Sequence, residues 1–244
     1  MTTTRQRADR LLVERGLFES RARAQAAIAA GLVTADGVAV RKASEEISSG
    51  AVIEAQPEHP YVSRGGIKLA AALDRFNLDV TGSICLDVGA STGGFTEVLL
   101  VRGAKRVYAV DVGRDQLHPS LRGRDDIVIM EETDIRTLDP SRLAETPNFV
   151  TVDVSFISLK LVLPAIGHLL TPRATLVALI KPQFEAPRRD IKKGIVRDPA
   201  VREAACEDIA AFLTALGWRV AGRMPSPIRG GDGNAEFFIE AVRG

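Results

Sequence analysis

From residue 61 onward, short apolar runs alternate with segments of helical length, and this alternation constrains the fold more than any other feature of the chain. The runs are rich in β-branched residues and about four to six residues long, as is typical of buried parallel strands joined by helices. They lie at residues 83–86, 106–110, 127–130, 149–152 and 175–180. Two later runs, at 218–224 and 235–242, are predicted to form a closing antiparallel pair. The pattern predicts an α/β fold with a mostly parallel sheet and an antiparallel last strand.

Charged residues lie at or next to the ends of the five parallel runs. They are Asp87, Asp111, Asp134, Asp153 and Lys181. In open α/β sheets the ligand crevice lies at the carboxyl ends of the strands. Each of these residues alone also fits a helix cap or a solvated loop, but five such positions are more than solvation requires. Together they predict a ligand site at this edge of the sheet.

The glycine-rich turn after the first run admits a hydrolase interpretation. Residues 89–93 match G-x-S-x-G, the motif of a nucleophile elbow, and Asp153 and His168 follow in the order of a catalytic triad. However, an α/β-hydrolase has several strands before its nucleophile, whereas residues 1–60 here have a different pattern. His168 also lies within a predicted helix, 161–170, rather than in a loop. Both observations disfavour a hydrolase.

The same turn resembles a dinucleotide fingerprint only in part. Gly89 and Gly94 fit the outer positions of G-x-G-x-x-G, but Ser91 occupies the middle position. A side chain is unfavourable there because the backbone must approach a pyrophosphate closely. A dinucleotide is therefore disfavoured as well.

A nucleoside without phosphate fits the acidic residues better. Asp87 is expected to lie beside a cationic ligand, Asp111 to accept hydrogen bonds from ribose hydroxyls, and Asp134 to accept one from an adenine amine. S-adenosylmethionine combines a sulfonium, a ribose and an adenine. The residues expected to bind this cofactor are Asp87, Gly89, Ser91, Thr92, Gly93, Phe95, Asp111 and Asp134.

Transfer of a sulfonium methyl requires no metal, because the methyl is already activated. A hydroxyl acceptor is a poor nucleophile, so a base or a cation that stabilises the developing oxyanion is expected. Lys181 is the best candidate, since it ends an apolar run and precedes Pro182. Lys68 is a candidate neighbouring cation and Asp153 a candidate orienting acid, and Glu236 is placed to complete the network.

The first 55 residues have a different pattern and a local positive charge. Two predicted helices, 7–15 and 21–30, precede a hairpin between 32–35 and 38–40, and the first 43 residues carry a net charge of +4. A basic patch on such a small module suits RNA phosphates, although a solvated helical face has the same composition.

This segment resembles the S4 RNA-binding domain. The similarity is carried by Arg7-Ala-Asp9-Arg-Leu11-Leu12, Ser20-Arg21-Ala-Arg23-Ala, Ala30-Gly31-Leu-Val33 and Asp36-Gly37. The resemblance implies that Arg7, Arg21 and Arg23 lie on an RNA-facing side. The domains are predicted at 1–55 for the S4-like α+β module and 63–244 for the α/β domain, with a proline-containing linker at 56–62.

Motifs along nearly the whole chain resemble those of the TlyA family, which joins an S4 domain to an FtsJ-like methyltransferase. They are residues 61–69 (YVSRGGIKL), 87–96 (DVGASTGGFT), 152–158 (VDVSFIS), 180–185 (IKPQFE) and 233–238 (GNAEFF). The resemblance implies a Rossmann-like fold that uses S-adenosylmethionine, and methylation of cytidine 2′-hydroxyls in ribosomal RNA. The family's catalytic Lys-Asp-Lys-Glu set falls on Lys68, Asp153, Lys181 and Glu236.

The expected partners are ribosomal RNA or ribosomal subunits, without metal. Contacts to RNA are also expected from Arg64 and from the basic residues Arg188, Lys192 and Lys193. One alternative is a ribosome-binding assembly factor in which catalysis is not essential. Another is a membrane-active protein, since family members are also called haemolysins. Nothing in the sequence specifies an oligomeric state.

Composition excludes several other classes. Cys85 and Cys206 are the two cysteines and form no CxxC motif, which argues against a disulfide scaffold or a zinc module. The first residues carry no apolar signal, and no run approaches the about 20 residues of a membrane-spanning helix. A cytoplasmic protein is expected.

Overall fold

The computed structural model describes residues 4–57 and 59–244, so part of the predicted N-terminal module (1–3) and one linker residue (Glu58) lie outside the described residues. The chain divides into two compact units, Met1–Pro60 and Tyr61–Gly244. These are called the N-terminal unit and the C-terminal unit below. The linker boundaries at 56–62 remain a prediction.

The N-terminal unit combines two short helices with small antiparallel sheets. Its elements are β1 (Arg5–Arg7), α1 (Ala8–Glu14), α2 (Arg21–Ala29), β2 (Val33–Ala35), β3 (Val38–Ala39), β4 (Glu46–Ser48) and β5 (Ile53–Ala55). Asp36 and Gly37 both have positive φ between β2 and β3, as a two-residue hairpin turn requires. The predicted hairpin and both predicted helices are therefore confirmed. Apolar residues of α1, α2 and β2 form the core of this unit.

The C-terminal unit is built on a seven-stranded sheet with helices on both faces. Its elements are α3 (Arg64–Phe76), β6 (Ile84–Val88), α4 (Gly94–Val101), β7 (Arg106–Val110), β8 (Ile127–Met130), β9 (Phe149–Val152), α5 (Leu159–Ile166), β10 (Ala174–Ile180), α6 (Pro182–Glu185), α7 (Pro199–Ala215), β11 (Arg219–Pro225) and β12 (Phe237–Arg243). The strand order is β11-β12-β10-β9-β6-β7-β8. β6 to β10 are parallel to one another, and β12 is antiparallel to both β10 and β11. The predicted mostly parallel sheet is confirmed.

Alternation of side chains along the central strands supplies both hydrophobic layers. Cys85 of β6 packs with residues of α3 and α4 on one face. Its neighbour Leu86 packs on the other face with residues of α5 and α7. A period of two residues places successive side chains on opposite faces, so a strand covered by helices on both sides is mostly apolar.

The order of the strands determines where a ligand crevice forms. From β6 the chain proceeds outward through β7 to β8 and then returns to add β9 on the other side of β6. In open α/β sheets the crevice lies beyond the carboxyl ends of the strands where the order reverses. Here that point lies between the ends of β6 and β9.

Two elements differ in detail from the sequence-based prediction. β6 extends to Val88, so Asp87 lies within the strand rather than at its end. The helix predicted at 161–170 begins at Leu159 and continues after Ile166 as the short 3-10 helix Gly167–Leu169. Among the described helices, none has the length and apolar character needed to cross a membrane.

Candidate functional site

Strand register brings the predicted charged residues together. Lys181 directly follows β10, and Glu236 directly precedes the antiparallel β12. Because Ile180 pairs with Phe237, Lys181 and Glu236 are neighbours at one edge of the sheet. Asp153 follows β9, which runs parallel to β10, and therefore reaches the same edge.

Two buried ion pairs link these residues and α3. Lys68 Nζ lies 2.6 Å from Glu236 Oε2, and Lys181 Nζ lies 2.6 Å from Asp153 Oδ1. The side chains of the two lysines are each 11% exposed. Each lysine thus has its own carboxylate, and Lys68, which was expected as a cation beside Lys181, is paired with Glu236 instead.

Two further residues support the ion pairs, and neither was found from the sequence. Lys181 Nζ donates a hydrogen bond of 2.8 Å to Ser155 Oγ. A Cβ at Gly230 would lie 2.4 Å from Glu236 Oε1, so the glycine lets the loop backbone approach this carboxylate. In the sequence, Ser155 is one residue of the motif that follows Asp153, and no feature there predicts its contact with Lys181.

Two adjacent cavities meet at Asp153. The first, called the charged cavity, has a volume of about 330 Å³ and is lined by Lys68 and Lys181 among others. The second, called the apolar cavity, has a volume of about 490 Å³. Gly89, Ser91, Asp153 and Ser155 line both cavities. A ligand in the apolar cavity is therefore in reach of the ion-paired lysines.

Besides Asp153, the apolar cavity has aliphatic walls and two further acidic groups. Val88, Ile135 and Val162 contribute to the walls, and Asp111 and Asp134 also line it. Asp111 accepts hydrogen bonds from the backbone N–H groups of Ser91 and Gly113, at 2.8 and 2.7 Å. These bonds fix the carboxylate while further lone pairs stay available for a ligand hydroxyl.

Asp134 is held at the edge of the apolar cavity by an arginine. Its carboxylate accepts hydrogen bonds from Arg136, and these bonds hold the pKa of Asp134 below its ordinary value. The same carboxylate caps the short helix Ile135–Thr137 through the N–H of Arg136. The predicted acceptor thus lies at the cavity, with much of its hydrogen-bonding capacity already used.

Asp87 lies outside both cavities, which differs from the expectation of direct contact with a cationic ligand. It is fully buried and accepts hydrogen bonds from Thr96 Oγ1 at 2.6 Å and Thr151 Oγ1 at 2.8 Å. Burial raises the pKa of Asp87 to about 6. The carboxylate therefore ties β6 to α4 and β9 beneath the site.

The glycine-rich turn offers few donors to a phosphate. The N–H groups of Gly89 and Ala90 bond to Val110 O, and that of Gly93 bonds to Ala90 O. The Ser91 N–H is bonded to Asp111. Dinucleotide sites use such groups to bind a pyrophosphate, so this turn fits a ligand without phosphate.

The two glycines Gly89 and Gly93 mainly allow the turn to pack closely against its neighbours. Gly89 has φ of +83°, and a Cβ there would lie 2.4 Å from Asp153 O. Gly93, the N-cap residue before α4, has φ of +94° and lines neither cavity. Phe95 and Thr92 do line the charged cavity, where the Phe95 ring stacks against Phe238.

His168 does not lie at the site. It is exposed on the short helix Gly167–Leu169 and lines neither cavity. The hydrolase alternative requires this side chain beside Ser91, so the geometry does not support it.

Phe156 is a candidate functional residue that the sequence analysis missed. Its side chain is 91% exposed although it lines the apolar cavity, and its φ is +64°. A non-glycine residue in this conformation is strained, and strain of this kind clusters at functional sites. Its ring lies 5.2 Å from that of Phe184. No sequence pattern distinguishes such an exposed phenylalanine from a core residue.

The basic residues predicted to contact RNA lie in several places. In the N-terminal unit, Arg7 and Arg21 both donate to the buried Asp9, and chiefly the bond from Arg7 holds the pKa of Asp9 well below its usual range. Arg23 forms a 3.5 Å ion pair with Glu19.

In the C-terminal unit, Arg188, Lys192 and Lys193 are exposed between α6 and α7. None of these three lines the charged cavity, whereas Arg64 does.

Comparison with family models and curated proteins gives a consistent assignment. The model for the S4 domain matches residues 6–53, and the model for the FtsJ-like methyltransferase matches residues 61–243. The chain is 42% identical over 238 residues to the Mycobacterium tuberculosis protein named 16S/23S rRNA (cytidine-2′-O)-methyltransferase TlyA, covering 96% of this chain and 89% of that protein.

Solved structures agree with the family models. A Streptococcus thermophilus protein that carries the name hemolysin is 44% identical, with a TM-score of 0.78 over 99% of this chain and 90% of that chain. An S-adenosylmethionine-dependent methyltransferase from Aquifex aeolicus shares the fold alone, with 17% identity and a TM-score of 0.50 over 75% of this chain and 95% of that chain. With an S4 domain followed by an FtsJ-like methyltransferase domain, the chain belongs to the TlyA family.

Proposed function

We propose that this protein transfers a methyl group from S-adenosylmethionine to the 2′-hydroxyl of a cytidine in ribosomal RNA. The observation that carries the proposal is the pair of buried lysine–carboxylate contacts at the junction of two cavities. An RNA-binding protein without catalysis has no need of two buried lysines there. The name of the Mycobacterium tuberculosis relative supports both the ribose and the cytidine.

The apolar cavity fits the cofactor's nucleoside. Asp111 would accept hydrogen bonds from ribose hydroxyls and Asp134 would accept one at the cavity edge, and the aliphatic walls of the cavity suit an adenine. The turn from Gly89 to Phe95 forms the side of the apolar cavity that is nearest the charged cavity. When bound, S-adenosylmethionine supplies a methyl group activated by its sulfonium.

Lys181 is the group that assists the acceptor. Asp153 and Ser155 hold its Nζ at 2.6 and 2.8 Å, so the ammonium is fixed before a substrate arrives. A fixed cation lowers the cost of charge that develops on the hydroxyl oxygen as its proton leaves. Lys68, which is paired with Glu236, lines the adjacent wall and restricts the position of the ribose. A well-oriented approach contributes several kcal/mol, up to about 7–11.

RNA is bound by groups outside this centre as well. Arg7, Arg21 and Arg23 of the N-terminal unit are candidates for phosphate contacts, as are Arg188, Lys192 and Lys193 of the C-terminal unit. Such contacts supply affinity and position without reading sequence. Phe156 is exposed beside the site, where its ring is available to stack on an unpaired base.

The test is transfer of labelled methyl from S-adenosylmethionine to purified ribosomal subunits. We expect label in ribosomal RNA at one position that resists alkaline cleavage, because a methylated 2′-oxygen cannot attack the adjacent phosphate. Cofactor binding by calorimetry without labelling of RNA in either subunit or in whole ribosomes would overturn the proposal. The assembly-factor alternative would then explain the S4 domain better.

A further inference from the structure

The charged cavity carries more positive charge than its ion pairs neutralise. Four cationic side chains line it: Arg64, Lys68, Lys181 and Arg229. Lys68 is neutralised by Glu236 and Lys181 by Asp153. The remaining positive charge of the cavity therefore belongs to the two arginines.

Neither arginine has a carboxylate partner within residues 4–57 and 59–244. Both are exposed, and both contact backbone oxygens instead. Arg64 Nη2 donates to Arg229 O at 2.8 Å, and Arg229 Nη1 donates to Gly233 O at 2.9 Å. A guanidinium has five N–H donors, so each keeps most of its donors for a ligand.

The loop that carries Arg229 is held in place by its own hydrogen bonds. The Gly230 N–H bonds to Asn234 O, and the Gly233 N–H bonds to Gly230 O. Asn234 is 1% exposed, and its side chain bonds to the backbone of Gly194 and Val196. The arginine is thus presented from an ordered turn, which reduces the conformational entropy lost on binding.

We propose that Arg64 and Arg229 together bind one phosphate of the acceptor RNA strand, beside the ribose that reaches Lys181. Two guanidinium groups that line one cavity suit an anion with several acceptor oxygens, and an arginine fork matches phosphate oxygens. In RNA that anion is a backbone phosphate. The inference rests on the proposed function, because it identifies the ligand as RNA. It adds Arg229, which the sequence analysis did not single out.

The test compares the full-length chain with the double variant Arg64→Gln/Arg229→Gln and with Arg75→Gln. Arg75 is exposed near the other end of α3 and serves as a matched control. Binding to purified ribosomal subunits is measured as a function of salt concentration. Affinity falls as the salt concentration rises. Loss of one phosphate contact makes the slope of log affinity against log salt shallower by about 0.7–0.9.

We expect the double variant to lose one such contact, to raise the KM for subunits about tenfold, and to bind S-adenosylmethionine as the wild type does. Arg75→Gln should match the wild type in all three measurements. A slope for the double variant equal to that of the control would overturn the proposal, and a loss of two contacts would contradict a shared phosphate. Because the slope is measured without turnover, absent labelling by the wild type refutes the proposed function separately.

Discussion

At the scale of single residues, the buried charges of Lys68 and Glu236 are stable only as a pair. A charge that is mostly removed from water costs several kcal/mol unless a partner compensates it. As whole residues, Lys68 and Glu236 are 9% and 4% exposed, so the charge of each depends on the other for compensation. Stability and catalysis can therefore be separated by changing one partner or both.

We expect Glu236→Gln to lower the free energy of unfolding by about 3 kcal/mol, because Lys68 is left buried without a carboxylate. Lys68→Met combined with Glu236→Leu should recover most of that loss but should not recover methyl transfer. Denaturant unfolding and the transfer assay check the two parts. Full transfer by the double variant would show that this pair is only structural.

Asp87 gives a pH-dependent prediction. Its pKa is about 6 in the folded protein, above the value of about 4 for an exposed aspartate. The folded state therefore binds this proton more tightly than the unfolded chain, so the contribution of Asp87 to stability is greatest at low pH. It falls as pH rises from about 4 to about 6, by about 3 kcal/mol in total.

Asp87→Asn should remove that decrease, and urea unfolding between pH 4 and 7 measures it. The exposed Asp125→Asn is the matched control and should keep the wild-type profile. Identical profiles for wild type and Asp87→Asn would contradict the buried-carboxylate interpretation.

Residue types with a distinctive position were predictable from the sequence, and residues defined by their neighbours were not. Lys181 and Asp153 follow apolar runs, so their place at the sheet edge followed from the pattern of strands. Ser155 and Arg229 acquire their importance from contacts with residues far away in the chain. Such contacts depend on loop paths that periodicity does not specify.

At the scale of elements, several contacts besides the Lys181–Ser155 hydrogen bond tie together the segments after β9 and β10. Asp153 pairs with Lys181, and Phe156 packs on Phe184. Glu185 accepts hydrogen bonds from the Leu159 N–H at 2.8 Å and from the Ser158 hydroxyl, at the start of α5. These contacts hold α6 against the segment that carries Asp153 and Ser155.

We expect Glu185→Ala to lower kcat for methyl transfer about tenfold while the affinity for S-adenosylmethionine changes less than twofold. Loss of this half-buried hydrogen-bond acceptor should also cost about 1 kcal/mol in stability. Glu185→Gln retains one acceptor oxygen and should recover part of kcat. A kcat for Glu185→Ala equal to the wild-type value would mean that this link does not position the site.

Element types were predicted better than element boundaries. The strands of the sheet and the hairpin at Asp36-Gly37 follow from apolar runs and from turn residues. The end of β6 was predicted too early, because the acidic Asp87 indicates a strand end in the sequence. In the fold it lies inside the strand and accepts hydrogen bonds from two threonines. The 3-10 ending of the helix after Ile166 has no sequence signal that periodicity detects.

At the scale of the whole molecule, the two units are expected to contribute differently to cofactor binding and to RNA binding. The C-terminal unit has its own hydrophobic clusters and both cavities, whereas the N-terminal unit presents Arg7 and Arg21 around Asp9. Cofactor binding is therefore expected to depend on the C-terminal unit alone. Affinity for RNA is expected to depend on both.

Removal of residues 1–57 should weaken binding to ribosomal subunits at least tenfold and reduce its salt dependence, since phosphate contacts are lost. The affinity for S-adenosylmethionine, measured by calorimetry, should stay within twofold of the full chain. Unchanged affinity for the subunits would show that the N-terminal unit does not bind RNA.

In the proposed mechanism, Lys181 assists transfer to a hydroxyl from a position fixed by Asp153 and Ser155. The most direct measurement is the single-turnover rate of methyl transfer by Lys181→Ala, beside Lys160→Ala as a matched control whose lysine pairs with Asp208 at the surface. We expect the rate for Lys181→Ala to fall by at least about 100-fold with cofactor affinity retained, and the rate for the control to be unchanged. A rate for Lys181→Ala equal to that of the control, with the RNA product unchanged, would contradict this mechanism.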